Sequence, residues 1–225
     1  MPAPGGGFDL RLDVAKYLDG SPSDDRALLA GLSDEPDQRQ PTTISYADHL
    51  TGLAALEATL RARGTWFRAH PWLMTFIGDA QVAPVVTAEL AALRPVVDLG
   101  QFGQVTLSPI RTSAVSSPLL RLLSDDLCYA FNLVRFPDTD DAGEDRLIDA
   151  NRATYDRVRA AGGTLYPVSA LRLSPSDWRD HFGAAFGRLE AAKQRFDPDG
   201  ILTPGYEVFQ PDPQLHRSCI QRSDA

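Results

Sequence analysis

Cysteine is almost absent from this chain. Cys128 lies in an apolar run and Cys219 in a polar tail; neither belongs to a C-x-x-C pair, and two thiols in 225 residues exclude a disulfide framework. The four histidines, His49, His70, His181 and His216, are scattered without H-x-x-x-H spacing or clustered carboxylates, which excludes the familiar metal sites. There is no G-x-S-x-G elbow for a serine hydrolase and no G-x-G-x-x-G after a strand for a dinucleotide loop. No apolar run approaches the roughly 18 residues that span a bilayer. Positive charge is also scarce: 22 Lys and Arg face 30 Asp and Glu, a net charge of −8 that argues against nucleic acid or an anionic membrane as the main partner. The opening Met-Pro-Ala-Pro-Gly-Gly-Gly has neither the charged nor the apolar region of a signal peptide, so the chain as written reads as cytoplasmic.

What is present suits one globular core: 43% of residues are hydrophobic and 23% charged. Residues 1–7 and 210–225 read as disordered ends around a domain at 8–209, and 20–41 as a polar connection with one apolar turn. Leu50, Leu53, Leu56 and Leu60 recur at helical spacing, with Asp48 as cap and Gly64 as stop, which predicts a helix over 46–63. Further along, strands are expected at 72–77, 104–110, 127–136 and 164–168. Helices are expected at 84–93, stopped at Pro95, and at 145–160, ended by Gly162 and Gly163. Ser174 with Pro175 opens a last helix whose Phe182, Phe186 and Leu189 carry an apolar face toward Phe196. Paired strands between long helices indicate an α+β fold, an antiparallel sheet covered by helices on one face.

The chain's end carries its most specific wording. Asp197-Pro198-Asp199-Gly200 stops a helix and Thr203-Pro204-Gly205 makes a second turn, so one exposed segment is held by two turns. With Lys193, Ile201 and Leu202 it resembles the K-x-x-x-D-P-x-x-I-L-x-P-G motif that closes FAD-linked oxidases of the vanillyl-alcohol-oxidase type. His70-Pro71-Trp72-Leu73, preceded by Gly64-Thr65-Trp66, resembles a segment of the cytokinin dehydrogenases. Leu12 to Tyr17, Ile44 to Leu50 and Ser176 to Gly183 fall in that family's order. The resemblance spans about residues 8–209 and implies the substrate domain alone, without the FAD-binding half and with any export signal open to loss with that half.

The resemblance implies FAD as cofactor, an adenine-type small molecule as substrate and, as a further partner, a separate FAD-binding chain. It implies hydride removal from the carbon beside the amine nitrogen, after which the imine hydrolyses to an aldehyde and adenine. The aspartate base and the FAD-tethering histidine belong to the other half, so no catalytic residue is expected here. Strand alternation puts Trp72, Met74 and Phe76 on one face and Leu73, Thr75 and Ile77 on the other. Trp72, Met74, Leu165, Tyr166 and Glu57 are the substrate-binding candidates, and Tyr166, Gly205 and Tyr206 the flavin-side ones. Met74 stands where the family has a pocket asparagine, so one amide is missing. Leu165-Tyr166-Pro167 is offset by one from the family's Tyr-Leu-Pro, and a one-residue offset turns a side chain to the other face. As plain sequence, without the resemblance, Glu57 reads as a helix surface charge and the Trp72 strand as ordinary core. A related amine or alcohol oxidase and a non-enzymatic binding domain or gene remnant remain open beside the dehydrogenase reading.

Overall fold

The computed structural model describes residues 2–3, 5–21, 23–137, 141–202 and 206–209, and the chain divides into two compact units, 9–68 and 1–8 with 69–225. In the first unit, helix α1 (Asp25–Leu28) is capped by Asp24, and the expected 46–63 helix is two: α2 (Tyr46–Leu50) and α3 (Ala54–Ala62). The break falls at Thr51-Gly52. The Thr51 hydroxyl donates back to the Ala47 carbonyl and the Gly52 amide bonds His49, so the turn tightens where a glycine gives least helical support. Ser45, not Asp48, is the cap: its hydroxyl accepts from the Asp48 amide while the Asp48 carboxylate accepts from that hydroxyl. Gly64 does end α3, at φ +68°, with the Thr65 amide reaching Leu60 and the Gly64 amide reaching Arg61.

The second unit holds a four-stranded antiparallel sheet in the order β2-β3-β1-β4 among the described residues, formed by β1 (Leu73–Gly78), β2 (Gln104–Arg111), β3 (Leu127–Val134) and β4 (Thr164–Leu165). Its helices are α4 (Asp79–Ala92), α5 (Asp141–Ala160), α6 (Pro175–Phe182) and α7 (Phe186–Phe196). This is the α+β architecture expected from the sequence. β4 stops at Leu165 because Tyr166 turns toward Ser169, whose hydroxyl takes over the pairing with Met74. α4 begins five residues before Pro84, on Gly78, so the proline lies inside the helix instead of at its start. Ser174 caps α6 through a complete capping box with Asp177. α6 and α7 are separated at Gly183 (φ +50°), and Phe196, expected at the end of an apolar face, is exposed.

The two sheet faces differ. One carries Leu73, Ile77, Phe131, Leu133 and Leu165, packed with Tyr155, Val158, Trp178 and Phe182 into the main core. The other carries Met74, Phe76, Cys128, Ala130, Ile110 and Tyr166, with Leu120, Leu122 and Leu123 of the 112–126 connection laid over its Phe76 end. No helix among the described residues is long and apolar enough to cross a membrane.

Candidate functional site

Alternation in β1 sorts the candidates. Met74 lies opposite Asn132, and Asn132 opposite Thr106, so these three side chains share the face that carries Phe76. Leu165 pairs with Thr75 and turns to the helix-covered side, where it is fully buried. Tyr166, one residue on, turns the other way: its ring meets Phe76 edge-on at 6.0 Å and its amide bonds the Met74 carbonyl at 3.0 Å. The structure therefore brings Met74, Phe76 and Tyr166 together and leaves Leu165 behind them in the core.

Trp72 sits just before β1, 45% exposed. Its ring stacks on His70 at 6.2 Å and meets Phe136 edge-on at 5.7 Å, while its indole N–H donates to the Arg135 carbonyl at 2.8 Å. Tyr206 makes its ring contact with Trp178, 6.1 Å away, and accepts the Trp178 indole N–H on its carbonyl. Gly205, with Pro204, lies outside the described residues. Glu57 belongs to the 9–68 unit and pairs with Arg61 at 2.8 Å.

Beneath Trp72 is a buried polar knot. The Asn151 amide N–H groups donate to the Pro71 and Ala170 carbonyls at 3.0 and 2.8 Å, and its oxygen accepts from Arg135 Nε and Nη2 at 3.2 and 3.1 Å. Arg135 Nη1 donates to the Asp98 carbonyl, and Arg135 is only 1% exposed. Burial pulls its guanidinium down to about 10. The Pro71 carbonyl is thus held by a neutral amide that is itself fixed by charge-assisted bonds from the buried guanidinium. Sequence reasoning missed this knot, although Asn151 falls on the helical stripe Leu147, Tyr155, Val158 and so announces a polar group aimed at the core. Asn132 was missed as well. Its Nδ2 donates to the Thr106 hydroxyl at 2.7 Å, and its oxygen is buried without a hydrogen-bond partner among the described residues.

Next to Trp178, His181 is 8% exposed and its Nε2 has no hydrogen-bond partner among the described residues; burial first, and the Arg121 charge second, push its pKa down to about 4. An ordinary value of 6.5 in the unfolded chain means that the unfolded state takes up the proton first as pH falls. The contribution of neutral His181 is whole above about pH 6.5 and is lost on the way down to about pH 4, on the order of 3 kcal/mol in all. His181→Phe is expected to flatten that part of the stability profile, measured by urea unfolding between pH 7 and 4; an unchanged slope would assign the acid sensitivity to another group. Among the described residues no three His, Cys, Asp or Glu side chains are grouped to hold a metal ion.

The site therefore offers a flat, mostly apolar strand face edged by an aromatic stack, a surface suited to a planar ring. The family model described as cytokinin dehydrogenase 1, FAD and cytokinin binding, matches residues 13–209. An uncharacterized oxidoreductase, ORF5 in the fasciation locus of Rhodococcoides fascians, is 33% identical over 199 residues, covering 88% of this chain and 44% of that protein. Cytokinin dehydrogenase 8 of Oryza sativa subsp. indica is 32% identical over 180 residues, 74% of this chain and 33% of that protein. The chain spans less than half the length of these relatives.

Proposed function

This chain belongs to the cytokinin dehydrogenase FAD- and cytokinin-binding family, and on that premise we propose that its Met74–Phe76–Tyr166 face covers the flavin and substrate of a two-part oxidoreductase. The single observation that supports this most is the division of the sheet: helices bury one face, while the Met74 end of the other is left half-buried with an aromatic ring and a thioether on it.

The family is FAD-dependent, and the residues present fit that group as a cover. Met74 and Tyr166 present apolar surface of the kind a flat ring system packs against, and Tyr166 adds one hydroxyl. When bound, the flavin supplies the acceptor for the hydride that the substrate gives up. In this reading the chain's own part is to orient and to dry: Met74 and Tyr166 exclude water from the reacting carbon, and Trp72 with His70 and Phe136 walls one side. The substrate is an adenine-type amine. The thioether at Met74 hydrogen-bonds weakly where an amide would both donate and accept, so ring stacking has to carry more of the recognition.

The test pairs this chain with the part of Oryza sativa cytokinin dehydrogenase 8 that lies outside the match, supplies FAD, and measures isopentenyladenine oxidation with a dye acceptor. The chain alone with FAD is expected to give no turnover, the pair to give turnover, and Tyr166→Ala to lower it about tenfold or more. Turnover by the chain alone would overturn the two-part reading. A flavin-loaded pair that oxidises other amines or alcohols but leaves isopentenyladenine untouched would overturn the substrate.

A further inference from the structure

On the helix-covered side of the sheet, away from the Met74 face, α4, the 94–98 segment and α5 line an open pocket of about 300 Å³. Four guanidinium groups line it, Arg94, Arg135, Arg146 and Arg157, against two carboxylates, Glu89 and Asp98. Four cations less two anions leave two positive charges in one concavity of a chain whose net charge is −8. Asp145 and Asp149, also on α5, share the single guanidinium of Arg172 and are exposed to solvent, which screens what charge remains on them.

The pairing inside is uneven. Asp98 is shared by Arg94 and Arg146, at 2.8 and 2.9 Å, and Glu89 is taken by Arg157 and the Thr154 hydroxyl. Among the described residues Arg146 reaches Asp98 through Nη1 alone, a single bond from a fork that carries five donors. Arg135, the most buried of the four, makes no ion pair among the described residues; it bonds the Asn151 oxygen and the Asp98 carbonyl. A doubly charged oxyanion supplies what this geometry lacks, several acceptor oxygens and two negative charges in a volume that arginine forks match bidentately.

The structure assigns to this pocket a binding site for a phosphoryl dianion, either free phosphate or the phosphate of a small monoester. The site is independent of the proposed oxidoreductase role. It lies one side chain from the Trp72 segment, since Arg135 holds Asn151, which holds the Pro71 carbonyl.

Calorimetry and thermal unfolding of the purified chain test this with inorganic phosphate and glycerol phosphate, each against sodium chloride at equal ionic strength. Saturable binding is expected, with Tm raised by about 5–10 °C at roughly a hundredfold over Kd. Arg146→Gln should weaken it about tenfold. Ala150→Glu, which places a carboxylate on the pocket wall, should abolish it, and Arg111→Gln, on the edge strand β2, should leave it unchanged. Tighter binding of the monoester assigns the esterified source, and equal or tighter binding of phosphate the free one. Phosphate and monoester acting no differently from chloride would overturn the assignment. So would an Arg146→Gln chain that binds as the parent does, and that variant decides alone if Ala150→Glu does not fold.

Discussion

Asn151→Leu is expected to lower the unfolding free energy by about 3–5 kcal/mol, more than its loss of hydrogen bonds alone suggests. The substitution keeps the branching and heavy-atom count of the side chain, adds bulk, and removes both ends of a four-bond bridge. The Pro71 and Ala170 carbonyls lose their donors, and Arg135 Nε and Nη2 lose their acceptor inside the core. Asn151 is wholly buried, so the edge of Arg135 that bonds it is closed to water and what is removed there is not replaced. The larger part of the cost is the guanidinium left with only the Asp98 carbonyl, a buried cation without its compensating dipole. In a chain of this size the Tm should fall by about 10 °C. Urea unfolding followed by circular dichroism measures it, and Trp72 emission should move red as the Pro71 segment loosens. A loss below about 1 kcal/mol would mean that the bridge follows the fold instead of fixing it.

The sequence makes the alternation of β1 legible and leaves the knot beneath it hidden, for one physical reason. Strand period and capping are local: Trp72 to Ile77 sort to two faces by spacing alone, and Ser174-Pro175 with Asp177 is a helix start wherever it occurs. Arg135 to Asn151 and Met74 to Asn132 are contacts at long sequence separation, set by register and helix docking, and no window contains both partners. The same holds for the offset at 165–166. Spacing says that one of the two residues faces each way; only the pairing of Leu165 with Thr75 says which. Where local signals were misread, a local competitor won. The Thr51 hydroxyl split the 46–63 helix by bonding backwards, and Ser169 cut β4 short by offering Met74 a hydroxyl in place of a strand.

Gly100→Ala should cost about 4 kcal/mol or more, and it tests whether the aromatic wall is held by backbone contact. Gly100 has φ +81° and ψ 170°, a conformation that side chains rarely adopt, and a Cβ built there would stand 1.9 Å from the Phe136 carbonyl oxygen and 2.5 Å from its carbon. Strain and collision therefore add, and the colliding atoms are backbone, which has no rotamer to escape into. Relief requires the 95–100 segment to part from Phe136, breaking the Phe136 amide bond to Leu99 at 2.7 Å. Phe136 is the ring that meets both His70 and Trp72, at 4.8 and 5.7 Å, so stability and the wall should be lost together. Gly162→Ala separates the two causes. Gly162 has φ +83° with nothing within 4 Å of the added Cβ, so it should cost only about 1–2 kcal/mol and leave Trp72 emission unchanged. Equal losses from the two substitutions, in paired urea titrations, would show that backbone conformation alone is at work and that Gly100 does not clamp Phe136.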